Sequence, residues 1–186
     1  PSPMGSSYWE NGGSDQITVP YTSAAFDWTS SSTDFCVESW NYHTELVSGG
    51  AGVWCAGTSS AFQAKLDVIQ HSGYPGYCWN FEMGGGQRIR SDKPVVLNKW
   101  THVACVMRSG TGYLYVDGVQ QGITLAHGIS TIDTFYIGRQ VHDGGQYRWN
   151  GWISNFRVVT GSAVYSGSFV PSTKPLTNIT NTKLLC

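Results

Sequence analysis

The carboxylates of this sequence are not arranged for the cleavage of glycosidic bonds. Retaining glycosidases hold two carboxyl groups about 5 Å apart, and on one β-strand this takes an E-x-D-x-x-E pattern. The glutamates are Glu10, Glu38, Glu45 and Glu82, and none has that spacing. Glu38 has no carboxylate two or four residues after it, so we expect it to bond a neighbouring strand. A G-x-S-x-G nucleophile motif is also missing from the sequence. We therefore predict a non-enzymatic protein without catalytic residues.

One segment has oxygen ligands for a metal ion. Calcium takes six to eight oxygens, usually with several carboxylates. The segment Gln140–Asn150 contains Asp143, Gln146 and Asn150, but Asp143 is its only carboxylate. The sequence predicts no metal and no cofactor, and calcium in this segment is the alternative.

Aromatic residues give the strongest indication of binding. Sugar rings stack on aromatic faces while neighbouring polar side chains bond the hydroxyl groups. The chain has eight tryptophans and ten tyrosines, and two glycine-rich segments, Ser72–Trp79 and Gln140–Asn150, concentrate them between strong strands. We predict ligand-facing residues there: Tyr74, Tyr77, Trp79, His142, Asp143, Gln146, Tyr147, Arg148 and Trp149. The alternative is that these aromatics fix the loops to the core. Trp40, Trp100 and Trp152 lie in strand motifs, and we expect them in the core.

Composition limits the range of partners. The net charge is −1 and only 12% of residues are charged, which gives no electrostatic basis for binding nucleic acid or an anionic membrane. The sequence lacks an apolar run of the roughly 18 residues that a membrane helix needs. Residues 1–7 show no signal peptide, and we expect them to be a flexible lead. The ending at Cys186 favours a domain of a longer protein.

The five cysteines match no zinc-binding spacing. Cys36 and Cys105 lie inside strong strands, where we expect small buried thiols. A disulfide involving Cys55 or Cys78 is the alternative.

Strand-length apolar segments follow one another with glycine turns between them. Phe62–Gln70 alternates, Trp100–Arg108 is rich in β-branched residues, and Asp117-Gly118 is typical of a two-residue hairpin turn. With that turn, Val119 would lie opposite Val116 and Gln121 opposite Leu114, so Leu114, Val116, Val119 and Ile123 would share the core face. The Asp117 carboxylate would serve the turn. Glu45–Ser48 and Thr134–Val141 are also predicted as strands. The pattern predicts an all-β, antiparallel two-sheet sandwich comprising one domain, residues 1–186, with an extended C-terminal segment over 171–186.

Three motifs resemble one known superfamily. W-T-H-V-A-x-V with G-x-L-Y-V-D-G, over Trp100–Gly118, resembles the central signature of laminin-G-like domains. Asp34–Trp40 resembles their early D-F-T-I-E-x-W strand, and Phe135–Gly138 with Gly151–Val158 resembles their closing strand pair. The chain is thereby identified as a member of the laminin-G-like, concanavalin A-like jelly-roll superfamily, which contains both lectins and hydrolases.

The C-terminal tail resembles a narrower subgroup. Gly161–Tyr165, Phe169–Pro171 and Pro175–Leu185 are similar to segments that recur in phage structural proteins, including those of marine phages. This resemblance implies a bacteriophage tail, fibre or capsid-decorating protein on the virion surface. Its partners would be other virion proteins and a host-surface polysaccharide or other glycan, for host attachment. The alternative is a purely structural virion module without a sugar ligand.

Overall fold

The computed structural model describes residues 7–11, 15–20, 26–28, 30, 32–59, 61–72, 76–125, 129, 132–142 and 145–186. Its strands are β1 (Tyr8–Asn11), β2 (Ile17–Pro20), β3 (Phe35–His43), β4 (Ala51–Gly57), β5 (Phe62–Gln70), β6 (Tyr77–Met83), β7 (Gln87–Arg90), β8 (Trp100–Arg108), β9 (Thr111–Val116), β10 (Val119–Leu125), β11 (Thr134–Ile137), β12 (Arg139–His142), β13 (Gly145–Arg148), β14 (Asn150–Thr160) and β15 (Thr182–Leu185). A single 3₁₀ turn, Gly84–Gly86, joins β6 to β7. No helix in this part of the chain has the length and apolar character needed to span a bilayer.

Two antiparallel sheets form a sandwich, as the strand pattern predicts. The seven-stranded sheet has the order β1-β14-β3-β8-β9-β10, with β15 pairing along the far end of β14. The six-stranded sheet has the order β2-β11-β4-β5-β6-β7. Strand alternation sends one side of each sheet inward, and the core between the sheets is rich in large aromatics: Phe26, Trp28, Trp54, Phe81, Phe135, Trp149 and Phe156.

Two strand predictions differ from the structure. Glu45–Ser48, predicted as a strand, has no strand pairing. Thr134–Val141, predicted as one strand, is divided at Gly138, whose φ of 82° turns the chain out of β11. The residues after Gly138 therefore leave the six-stranded sheet and form the separate hairpin β12–β13.

The β9–β10 hairpin has the predicted two-residue turn, with φ of 48° at Asp117 and 76° at Gly118 and with Val119 opposite Val116. The predicted pairing of Leu114 with Gln121 is wrong, because a bulge after Gln120 places Gly122 opposite Leu114. The extra residue also changes which face the return strand presents. Ile123 consequently lies opposite Tyr113 and is 63% exposed. Val119 keeps its predicted place opposite Val116 but is 58% exposed, so neither residue joins Leu114 in the core.

The outer face of each sheet carries a cover from elsewhere in the chain. The β12–β13 hairpin lies on the six-stranded sheet, where Gly52 lacks the side chain that would collide with the backbone of Arg139 and Gln140. The segment 161–181, which we call the C-terminal strap, lies on the seven-stranded sheet. Its Val164, Tyr165 and Phe169 pack against a second apolar cluster formed by Cys36, Ala104, Val106, Tyr115 and Val159.

Candidate functional site

The structure does not support the predicted role of Trp149 and Trp79 as ligand-facing aromatics. Trp149 has no exposed surface and Trp79 is only 3% exposed. The Trp149 ring is stacked on His43, with centroids 4.2 Å apart, and on Trp79, with centroids 6.0 Å apart. Their exposure was predicted wrongly because Trp149 follows β13 and turns inward between the sheets. The alternative, that an aromatic fixes this loop to the core, is confirmed for Trp149.

The other predicted ligand-facing residues are placed as follows. Tyr77 is partly buried against the core. Tyr147 and Arg148 are half-buried on the β12–β13 hairpin, and Arg148 donates from Nη1 to Gln16 Oε1 at 3.2 Å. The backbones of His142 and Gln146 belong to this hairpin, but their side chains lie outside the description, as do Tyr74 and Asp143 entirely. Their proposed contact with a ligand stays a prediction.

A buried polar cluster lies beneath the hairpin on the six-stranded sheet. Lys65 Nζ donates to Asp67 Oδ2 at 2.8 Å and to Gln140 Oε1 at 2.7 Å. Asn80 Nδ2 donates to the other Asp67 oxygen at 2.7 Å, and Arg88 pairs with Glu82 at 2.9 Å. Burial, only partly offset by Lys65 and Asn80, raises the pKa of Asp67. Each charge in this cluster has an opposite charge beside it. The bond from Lys65 to Gln140 of β12 fastens the hairpin to the sheet.

Glu38 occupies a second buried polar cluster, on the outer face of the seven-stranded sheet. It accepts from Arg157 Nε at 2.9 Å, from Arg157 Nη2, from His102 Nε2 at 3.1 Å and from the Tyr165 hydroxyl at 2.7 Å. Burial alone would raise the pKa of Glu38, but the bonds from His102, Arg157 and Tyr165 outweigh it and hold this pKa below its usual value. The expectation that Glu38 bonds neighbouring strands is confirmed, and the strap covers it.

Three aromatic side chains lie side by side on the same outer face, beyond the end of the strap's apolar cluster. The register of β14, β3 and β8 places Trp152 opposite Tyr42 and Tyr42 opposite Trp100. The ring of Tyr42 is 5.2 Å from that of Trp152 and 5.5 Å from that of Trp100. We call these three residues the aromatic row. All three are half-buried, so part of each ring faces solvent.

The expected core position of Trp40, Trp100 and Trp152 is therefore wrong. Phe35 and Val37 point into the core, and alternation along β3 then sends Trp40 and Tyr42 to the outside. The register also places Trp9 of β1 opposite Trp152, so the row of aromatic positions extends over four adjacent strands. The sequence shows that Trp40 shares a face of β3 with Glu38 and Tyr42, and Glu38 is the one charged residue that hints at the outer face.

Two walls flank the aromatic row. On one side, residues 169–176 of the strap cross the sheet, and we call them the cross-sheet segment. Phe169 N donates to Gly118 O, Trp40 Nε1 donates to Ser172 O, and Leu176 N donates to Asn155 Oδ1. On the other side lies the polar rim, Thr44, Glu45 and Asn150, where Asn150 Nδ2 donates to Glu45 Oε2 at 2.8 Å. The row thus lies between the cross-sheet segment and the polar rim, and we call the strip of surface over it the trough.

Metal binding has no support in the described part of the chain, which contains no cluster of three or more histidine, cysteine, aspartate or glutamate side chains that could hold an ion. Asp117, whose carboxylate was expected to serve the turn, accepts from the backbone N–H of His102 and from Lys99 Nζ, both at 3.0 Å. The five cysteines are free thiols, of which Cys186 is exposed and the others are buried.

Comparison with known proteins assigns the family. The chain belongs to the concanavalin A-like lectin/glucanases superfamily, whose laminin-G-type family model matches residues 11–163. The resemblance seen in the central and closing strand motifs is thereby confirmed at the level of the superfamily. A search among curated protein sequences found no match.

Solved structures share the fold at low sequence identity. A pentraxin from Limulus polyphemus aligns over 82% of this chain and 74% of its own, with a TM-score of 0.57 and 17% identity. Domain 4 of the arabinanase AbnA from Geobacillus stearothermophilus, solved with arabinotriose, aligns over 71% of this chain and 62% of its own, with a TM-score of 0.54 and 15% identity. A candidate carbohydrate-binding protein from Bacteroides ovatus aligns over 80% of this chain but only 42% of its own, with a TM-score of 0.60 and 23% identity.

Proposed function

We propose that this chain is a non-enzymatic carbohydrate-binding module and that the trough over the aromatic row is its binding site. The observation that carries the proposal is the row itself: Trp152, Tyr42 and Trp100 lie side by side on an outer sheet face and stay half-exposed there. Aromatic side chains placed on a rigid sheet offer faces on which the C–H groups of sugar rings can stack.

The polar rim complements this floor. Glu45 is exposed, and one of its oxygens already accepts from Asn150, which holds the carboxylate in place. The hydroxyl of Thr44 in turn donates to Asn150 Oδ1 at 3.3 Å. A sugar site combines stacking with a few oriented polar groups, and this arrangement supplies both. The family, together with the arabinotriose complex of the structurally similar arabinanase domain, supports the same class of ligand.

The three buried carboxylates of the sheets, Glu38, Asp67 and Glu82, support a binding function more than a catalytic one. Glu38 is covered by the strap and accepts from Arg157, His102 and Tyr165. Asp67 and Glu82 both lie within ion-pair distance of Lys65 Nζ, at 2.8 and 3.5 Å. A general acid must reach the glycosidic oxygen, and these carboxylates point into protein contacts.

A glycan array with the purified chain tests the proposal. We expect binding that Trp100→Ala weakens by about tenfold or more, because a stacked aromatic is typically a binding hot spot. The matched control is Phe62→Ala, which removes a half-buried aromatic from β5 of the other sheet and should leave affinity unchanged. Equal loss in both variants would place the sugar outside the trough.

The biological setting of the proposal is the surface of a bacteriophage particle, where the module would attach a tail, fibre or capsid to host polysaccharide. The support is the tail over 161–185, which resembles phage structural proteins. The competing function is a structural module whose half-exposed aromatics contact other virion proteins. Labelling phage particles with antibodies against this domain, with and without competing glycan, separates the two settings.

A further inference from the structure

We infer that the trough takes an internal segment of a neutral polysaccharide chain, and that neither a single sugar nor an acidic polymer is its ligand. This inference rests on the proposed function and adds the class and the binding mode of the ligand. It follows from the shape of the trough, from its charges and from the direction of the aromatic row.

The direction of the row sets the shape of the ligand. Trp152, Tyr42 and Trp100 follow the hydrogen-bonding direction of the sheet, in which neighbouring strands are about 4.8 Å apart. A platform that repeats at each of these three strands suits a polymer lying across the sheet, since one sugar ring would occupy only part of it.

The walls determine how that polymer lies. The cross-sheet segment is fixed at three points across the sheet, through Gly118 of the hairpin turn, Trp40 of β3 and Asn155 of β14. It therefore runs parallel to the aromatic row. The polar rim lies on the opposite side of the row, since Thr44 and Asn150 are each two residues from a member of it. A ligand between these walls is directed along the row, with its hydroxyl groups toward the rim.

The charges exclude an acidic polymer. Uronate and sulfate groups are recognised by arginine forks, yet both arginines on this sheet face are already engaged. Arg157 bonds Glu38 and the Thr177 carbonyl. Arg108 lies over the ring of Tyr113 and donates to the Tyr165 carbonyl.

The walls themselves are close to neutral. Of their described residues, Lys174 is the one cation and Glu45 is the one anion. The floor of the trough carries no charge. An acidic chain would meet the Glu45 carboxylate without a compensating cluster of cations, whereas uncharged hydroxyl groups can both donate to Glu45 and accept from Asn150.

Affinity gel electrophoresis tests the class of ligand, with laminarin, xylan, mannan and galactan as neutral polymers and with alginate and carrageenan as acidic ones. We expect retardation by at least one neutral polymer and by neither acidic polymer. Trp100→Ala and Trp152→Ala should each reduce the retardation, while Phe62→Ala, which removes a half-buried aromatic from the other sheet, should not. Trp100→Phe keeps an aromatic ring in place and should retain most of the binding. This variant separates loss of the stacking ring from loss of the fold.

Calorimetry with an oligosaccharide ladder of the retarding polymer then tests the binding mode. Affinity should rise about tenfold or more from the monosaccharide to the tetrasaccharide, and reduction of the chain end with borohydride should not change it. Tight binding of the monosaccharide, dependence on the chain end, or preference for alginate or carrageenan would overturn this inference while leaving carbohydrate binding intact. Retardation by none of the polymers, together with a blank glycan array, would overturn the proposed function itself.

Discussion

The indole of Trp149 lies nearly parallel to the imidazole of His43, with ring centroids 4.2 Å apart and an angle of 24° between the planes. His43 ends the strand β3, and Trp149 lies between the hairpin β12–β13 and β14. The contact therefore closes the end of the sandwich where three elements meet. His43 Nδ1 lies 3.0 Å from the carbonyl oxygen of Asn150 and must donate to it, which fixes the neutral tautomer.

Trp149→Ala should destabilise the fold by about 3 kcal/mol or more, because it removes a fully buried indole and leaves a cavity beside His43 and Trp79. Urea denaturation measures the loss. Tyr147→Ala, two residues earlier and only half-buried, should cost clearly less. If the two variants lost equal stability, Trp149 would not be the residue that closes the core.

Acid should destabilise the protein through His43. Burial, partly opposed by the bond to Asn150, lowers the pKa of His43 to about 4, while an unfolded histidine has a pKa of about 6.5. Between pH 4 and pH 6.5 the histidine is protonated in the unfolded chain but stays neutral in the folded chain. The contribution of neutral His43 to the free energy of unfolding is thus fully present above about pH 6.5. As the pH falls toward 4, the free energy of unfolding decreases by up to about 3 kcal/mol.

The free energy of unfolding measured from pH 8 to pH 4 checks this expectation. His43→Gln keeps a donor for the Asn150 carbonyl but does not titrate, so its stability should depend much less on pH over this interval. An unchanged slope in the variant would mean that another group causes the acid sensitivity.

Gly118→Ala should release the C-terminal strap as well as strain the hairpin turn. An alanine is strained at φ of 76°, which costs about 1 kcal/mol. The added methyl group would also collide with the backbone carbonyl of Phe169. We expect a total loss of about 2 kcal/mol and faster proteolysis within 161–181.

Gly167→Ala is the matched control, in the strap itself. No atom lies within 4 Å of the methyl group that it adds, so its effect should stay within about 0.5 kcal/mol. Equal protease resistance in the wild type and in Gly118→Ala would show that the strap is held independently of the turn.

One thiol per folded chain should react rapidly with a thiol reagent, and five should react after denaturation. Cys186 is exposed to the reagent, although burial of part of its thiol raises its pKa, whereas the other four thiols are buried. Burial also raises the pKa of Cys55 to about 11 and that of Cys36 and Cys105 well above its usual value. Thiolate is the reactive form. Cys186→Ser should abolish the fast phase. Fewer than five thiols after denaturation without reductant would reveal a disulfide.

The sequence predicted the fold well, because strand alternation and turn chemistry are local. Phe62–Gln70 and Trp100–Arg108 were predicted with the bounds that the structure has. The Asp117-Gly118 turn was predictable because positive φ at both positions selects those residue types. The bulge after Gln120 was not predictable, since it depends on how β10 meets the other sheet's edge, where Gly122 lies against Ile89.

The burial of several tryptophans was predicted wrongly for a physical reason. Alternation shows that Val37 and Trp40 lie on opposite faces of β3, but it does not show which face meets the other sheet. Both faces of β3 are covered along its first half, one by the core and one by the strap, so both appear apolar in the sequence. Trp149 follows a hairpin, and only the tertiary structure shows that it turns inward.

The pairing of β14 with β3 has a consequence for the order of folding. Phe35 pairs with Thr160 and Gly151 with His43, so one edge of β3 stays open until nearly the whole domain has left the ribosome. Pairings of such high contact order form slowly, and an open, aromatic-rich strand edge invites association with other chains. We therefore expect the nascent chain to need chaperone protection, and a chain that stops before residue 150 to aggregate.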